Sequence, residues 1–208
     1  AFEAFIREFE GVLKNEYAVT DPDVTLTCAA AETAKAVSAE RTVTLVQALT
    51  AMPQGVEAMD TDFPGLVQTS LNMGVVKLDG DGLHIAFSIR SSIASRKLML
   101  AQRVRAVAAL AGGTVAERGV YPGWQYKRES QFRDTLLAAY KDLTGKDGVV
   151  EATHGGLECG LLMEKIPGLD AVSMGPELHD VHSVRERLSV PSTERTYELV
   201  CELLRRSC

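Results

Sequence analysis

Apolar positions along the chain repeat first with a helical period. Phe2, Phe5, Ile6, Phe9, Val12 and Leu13 line one side of "AFEAFIREFEGVLKNEYA", which predicts an amphipathic helix. Val24, Leu26 and Cys28 then alternate with polar residues and predict a strand. Ser38 is placed to cap "AERTVTLVQALTAM", whose stripe of Val43, Val46 and Leu49 is again helical, although Arg41 breaks the capping-box pattern. Pro53 and Gly55 punctuate its end. Two alternating runs, "LVQTSLNMGVVKL" and "LHIAFSIRS", flank Asp79-Gly80-Asp81-Gly82. That arrangement predicts a β-hairpin. Residues 94–111 form a helical run stopped by Gly112-Gly113, and "TVAERGV" reads as a short strand.

The rhythm changes at "YPGWQ", residues 121–125. Beyond it the pattern predicts a helix near 130–143, a strand in "DGVVEAT", a helix running to Lys165, a strand in "LDAVSMG" and a final helix from about Pro191 to Arg206. Helix and strand alternate there, as in parallel α/β architecture. The expected fold class is therefore α+β over residues 1–120, an antiparallel sheet with helices on one face, followed by an α/β portion over 121–208. The second part holds too few strands for a complete doubly wound sheet.

Composition narrows the function. At 208 residues, 46% hydrophobic and 24% charged, the chain has the balance of a globular protein. A net charge of −6 argues against a nucleic-acid partner, which draws on clustered Lys and Arg. No apolar run approaches the ~18 residues that span a bilayer, so no membrane partner is expected. Cys28, Cys159, Cys201 and Cys208 form neither a CxxC pair nor a disulfide framework, which points to a reducing cytoplasm. The chain opens on Ala1 without Met, inside the first helical turn, and reads as a piece of a longer protein.

Candidate chemistry concentrates in two segments. "EATHGGLECG" (151–160) and "GPELHDVHSVRE" (175–186) hold three of the four histidines, His154, His179 and His182. Both follow expected strands, where ligands gather in open parallel sheets. Gly155 and Gly156 could offer backbone N–H groups to an anion at a helix start. His182 could ligate Zn²⁺ through one ring nitrogen while a second group orients the other. Equally, His154 could be a hydrogen-bonded turn residue and His182 a surface one. The roles of His154, Glu158 and His179 stay open on the residues alone, and His84 reads as structural.

From Thr153 to Ser192, "THGGLECGLLMEKIPGLDAVSMGPELHDVHSVRERLSVPS" resembles the C-terminal end of the aminoacyl-histidine dipeptidases, which cleave Xaa-His peptides such as carnosine. "MPQGV", "QTSLNMGVV", "IRSS" and "YPGW" appear upstream in the same order as in that family. The resemblance thus runs over essentially the whole chain. It implies a two-zinc exopeptidase with a catalytic α/β domain and an inserted lid that carries dimer contacts. On that basis residues 1–120 would be the lid/dimerisation domain, lacking its first strand, and 121–208 the C-terminal part of the catalytic domain.

The same resemblance implies the residue roles. His182 matches the last metal ligand, with the other ligands and the glutamate base upstream of Ala1. Arg90 matches the arginine that binds the substrate's terminal carboxylate, a task suited to a guanidinium's parallel donors. Gly156 matches a backbone contact to the substrate. Glu158 or Glu177 is the expected orienting group for His182. The implied partners are a dipeptide and a second copy of the chain in a homodimer through the lid. The chain alone should be inactive, because one histidine cannot assemble a two-metal site. Departures are Gly155, where the family has Ala, and Val184-Arg185, where it has Pro and an acid. The alternatives are an acylamino-acid deacylase of the same clan and a non-catalytic α+β dimerisation module.

Overall fold

A computed structural model describes residues 2–30, 32, 35–80 and 82–207. The chain divides into two compact units, Ala1–Thr42 and Val43–Cys208. The first contains helix α1, Phe2–Glu16, as the apolar period predicts. Phe5 and Phe9, one turn apart, stack with ring centroids 5.8 Å apart, and Glu10 pairs with Lys14 at 2.6 Å. No residue of α1 is buried. The expected strand at Val24, Leu26 and Cys28 does not form: residues 24–30 are irregular.

Helix α2, Ala39–Ala51, starts where Ser38 Oγ accepts from Arg41 N at 3.3 Å. That is the side-chain cap expected of a serine there.

The second unit is built on a three-stranded antiparallel sheet in the order β1 (Gly55–Met59), β2 (Val67–Asp79), β3 (Gly82–Ser91). The hairpin at the DG turn is present, with Asp79 opposite Gly82; Asp81 lies outside the described residues. A register shift between Met73 and Val75 marks a bulge at Gly74, where a strand gains local twist. β1 was hidden in the sequence, because its five residues directly follow the Pro53–Gly55 stop signal.

Pairing decides which residues share a face. Thr69 opposite Ser91, and Leu71 opposite Ile89, point to the face covered by helix α3, Ala94–Leu110. There Leu71, Leu100 and Val104 form a buried cluster with Met52, Phe87, Ile89 and Met99 packed around it. Thr69 is fully buried, and its hydroxyl lies 2.9 Å from Ser91 Oγ. Ser70 opposite Arg90, and Asn72 opposite Ser88, make the other face polar. The antiparallel sheet with α3 on one face agrees with the expected α+β class.

Downstream, helices α4 (Gln131–Thr144) and α6 (Val190–Ser207) pack through Leu136, Ala139 and Leu203, with Val172 and Leu199 against them. Short α5, Glu158–Lys165, and a two-stranded ladder of β4 (Leu178–His179) and β5 (Arg187–Leu188) complete the unit. The helices match their predicted positions, but the strands expected in 114–120, 147–153 and 169–175 do not form among the described residues. A parallel strand exists only when a neighbour completes its hydrogen bonds, and none of these segments meets one. No helix of the described residues is long and apolar enough to cross a membrane.

Segment 169–175 instead serves α4. Ser130 caps the helix by accepting from Arg133 N at 3.1 Å. Asp170 accepts from Phe132 N at 3.0 Å and from Ser130 Oγ at 2.8 Å. The Phe132 N–H, first among the causes, holds the Asp170 carboxyl below its ordinary range. A depressed carboxylate pKa stabilises the fold above the unfolded value near pH 4, and the effect fades as pH falls through the depressed value. Asp170→Asn is therefore expected to lower stability by about 1 kcal/mol at pH 7. Denaturant melts at pH 7 and pH 3 check this, since the gap between variant and parent should shrink at the acid end.

Candidate functional site

Three of the sequence motifs meet at one end of the hairpin. β3 ends in "IRSS", and the "YPGW" loop runs directly over that end. A Cβ placed on Gly123 would lie 2.5 Å from the Ser92 carbonyl oxygen and 2.9 Å from that of Ser91. Only glycine permits such an approach of two backbones. Lys97 of α3 holds the same loop by donating to the Tyr121 carbonyl oxygen. Trp124 then lies against Gly160, where an added Cβ would be 3.2 Å from the Trp124 Cβ. Through this contact the "HGGLECG" turn and the start of α5 are seated beside the sheet.

The turn itself reaches β2. His154 Nε2 lies 2.7 Å from Ser70 Oγ, and Ser70 is the cross-strand partner of Arg90. Directly opposite residues of an antiparallel pair have Cβ atoms about 5 Å apart on the same face. His154 is thereby brought beside the Arg90 guanidinium. Burial, and next the Arg90 charge, hold the imidazole pKa below its ordinary value, against a smaller opposing effect of a Val67 backbone group. The ring is accordingly neutral at pH 7. His154 Nδ1 is buried and has no partner at hydrogen-bonding distance and angle.

Arg90 and Gly156 are both exposed, and Gly156 lies near Tyr121, with a built Cβ 3.9 Å from that side chain. Gly155 N donates to Thr153 Oγ1 at 3.1 Å, closing the turn. An exposed guanidinium and a glycine turn at one sheet end can receive an anion. Ser70, which joins them, was not singled out in the sequence. Its importance follows from standing opposite Arg90, and register is what decides that.

His182 lies elsewhere in the chain's organisation, in the connection between β4 and β5. Its backbone is left-handed at φ 63°, after Asp180 at φ 51°. The connection is hydrogen-bonded throughout. Ser183 Oγ donates to the Asp180 carbonyl at 2.7 Å, and Arg187 pairs with the Asp180 carboxylate at 2.6 Å. The His182 N–H donates to Glu186 Oε2 at 3.1 Å. Of the two orienting groups suggested by motif, Glu177 gives its carboxylate to Arg195 at 3.3 Å. Glu186 is the carboxylate that meets His182, at its backbone N–H rather than at its ring. His179 pairs with Arg187 in the β4–β5 ladder. His84 lies at the hairpin end with Nε2 3.2 Å from Asp79 Oδ1, as a structural role implies. Cys28, Cys159 and Cys201 are free thiols.

A tetrahedral zinc site draws at least three ligands from protein. Among the described residues, no group of three or more His, Cys, Asp or Glu side chains could hold a metal ion. The described donors do not by themselves fit a complete zinc centre, to which His182 could contribute one ligand.

No family model matches the chain. The cytosol non-specific dipeptidase of Escherichia coli (strain K12) is 32% identical over 204 residues, 98% of this chain and 42% of that protein. The crystal structure of aminoacylhistidine dipeptidase from Vibrio alginolyticus superposes with a TM-score of 0.85 at 30% identity, over 96% of this chain and 41% of that one. Aminopeptidase PepT from Bacillus cereus, at 19% identity and a TM-score of 0.58 over 78% of this chain and 44% of its own, shares the fold alone. The chain spans about two fifths of the length of the relatives it matches. In sequence the chain is thus similar to a cytosol non-specific dipeptidase, and in sequence and fold to an aminoacylhistidine dipeptidase, each over about two fifths of that relative's length.

Proposed function

We propose that the chain forms the lid and the C-terminal catalytic portion of a longer, zinc-dependent dipeptidase that hydrolyses Xaa-His peptides such as carnosine. Residues 1–120 are the lid/dimerisation domain in this reading and 121–208 the catalytic portion. The reading is carried by one observation: Arg90 and the Gly155–Gly156 turn, 65 positions apart in the sequence, are tied to one sheet end through Ser70 and His154. Identity over almost the whole chain to a dipeptidase supports the same conclusion.

Arg90 receives the substrate's terminal carboxylate, and the Gly156 backbone meets the same substrate. His182 would supply one zinc ligand, with the other ligands on the rest of the longer protein. Zinc in such enzymes activates water and polarises the peptide carbonyl. The protein is cytoplasmic in this reading and pairs through the lid, where β1 is an edge strand of the sheet among the described residues.

The test is kinetic. A protein carrying this chain with the remaining ligands hydrolyses β-Ala-His, and the 208-residue chain alone does not. Arg90→Ala raises KM roughly ten- to a hundredfold, the worth of one or two charge-assisted hydrogen bonds, and leaves kcat and metal content nearly unchanged. Hydrolysis of N-acetyl-histidine in preference to β-Ala-His would favour a deacylase and sink the dipeptidase reading.

A further inference from the structure

His154 contributes an unusual pair of features: Nε2 lies 2.7 Å from Ser70 Oγ, and Nδ1 is buried with no hydrogen bond of good geometry, although the Val67 backbone acts on the ring. A buried unpaired polar atom costs about 1–3 kcal/mol. An apolar side chain of similar volume would fill the same space without that cost. Packing alone therefore does not explain the imidazole, whereas its bond to Ser70 does. Ser70 sits on the central strand directly opposite Arg90, so the Ser70–His154 pair stands on the face of the sheet from which the Arg90 side chain extends.

The groups around the ring set its role. The Arg90 charge acts on the ring, and Ser70 and the Val67 backbone are its polar neighbours. A neutral ring beside a cation does not compete for an incoming anion. It can act as a wall and a hydrogen-bonding anchor, holding Arg90 toward the Gly155–Gly156 turn.

We propose that His154, anchored on Ser70 Oγ, is a positioning residue that aims Arg90 at a ligand carboxylate lying beside the Gly155–Gly156 turn. The inference rests on the reading of Arg90 as a carboxylate-binding residue. It adds the element that couples the turn to the arginine, and it assigns the carboxylate selectivity of the site jointly to Ser70, His154 and Arg90.

The experiment measures binding of L-histidine and of L-histidinamide, which lacks the carboxylate, to the purified protein by calorimetry. The parent protein should prefer L-histidine, and Arg90→Ala should erase the preference. Ser70→Ala and His154→Ala should each reduce it by about tenfold, as expected when a bidentate guanidinium contact becomes monodentate. His154→Gln, whose amide reaches the place of Nε2, should restore most of it.

If Arg90→Ala loses the preference while Ser70→Ala and His154→Ala keep it, His154 has no positioning role and the arginine reading stands. Equal weakening of both ligands in the His154 and Ser70 variants would mark a purely structural role and overturn the proposal. A parent protein with no preference would overturn the arginine reading and this proposal together. Should the variants fail to fold, NMR of the parent decides: L-histidine should shift the His154 ring resonances and L-histidinamide should not. Identical responses to the two would overturn the proposal.

Discussion

His182→Ala, in a protein that carries this chain together with the remaining metal ligands, should bind one metal equivalent fewer and lose roughly a hundredfold or more in dipeptide turnover. Groups that merely orient a ligand are worth 10–100-fold when removed, and a ligand itself is worth at least as much. The loop geometry makes the test clean. The β4–β5 connection is held by the Asp180–Arg187 pair and the Ser183 hydroxyl, none of which involves the imidazole. His182 N contributes only its backbone hydrogen to Glu186, and alanine retains that. The left-handed backbone at φ 63° is strained for alanine but accepted by asparagine, so His182→Asn serves as the second variant. Metal analysis by mass spectrometry alongside turnover reads the outcome. A variant with full metal content and near-parent turnover would remove His182 from the metal site.

Gly123→Ala should be the most damaging single methyl in the chain. Its Cβ would meet three backbone atoms of Ser91 and Ser92 at 2.5–2.9 Å, and backbone, unlike a flexible side chain, has nowhere to go. Overpacking of this kind costs about 3 kcal/mol, or roughly 10 °C in Tm for a chain of this size. The loss should extend to the site, because the displaced loop carries Trp124, against which Gly160 and the start of α5 rest. Gly155→Ala is the control. Its Cβ would meet Thr153 Oγ1 at an ordinary 3.5 Å, so its melting temperature should stay near the parent's. Equal stability of both variants by thermal melting would refute the tight crossing at Gly123.

The proposed carboxylate site and the metal-ligand candidate differ in how complete they are. Arg90, Ser70, His154 and the glycine turn come together within one unit of this chain. The surroundings of His182 supply Glu186 but no second or third donor cluster among the described residues. Carboxylate recognition is thus testable on this chain by binding alone, whereas a metal test needs the longer protein.

Local sequence determined the helices by itself, because their signals are local. A 3.6-residue apolar period, Ser38 as a cap and Gly112-Gly113 as a stop require no distant partner. The hairpin was equally legible, since a DG turn between alternating runs fixes its own register. Gly156 and His182 were readable as candidates from their neighbours in the chain, whereas Arg90 stood out only through the family resemblance of the motifs around it.

Tertiary structure decided everything that depends on a partner. The runs at 24–28, 114–120, 147–153 and 169–175 have strand composition, yet they lack neighbouring strands and remain irregular; segment 169–175 caps α4 through Asp170 instead. β1, too short to signal itself, became a strand because β2 offered it a ladder. Ser70 looks like any strand serine until register sets it opposite Arg90, and Glu186 like any loop acid until the β4–β5 turn folds it back onto His182. Helix propensity is a property of a segment, whereas a ladder, a shared face or a paired imidazole is a property of two segments that only folding brings together.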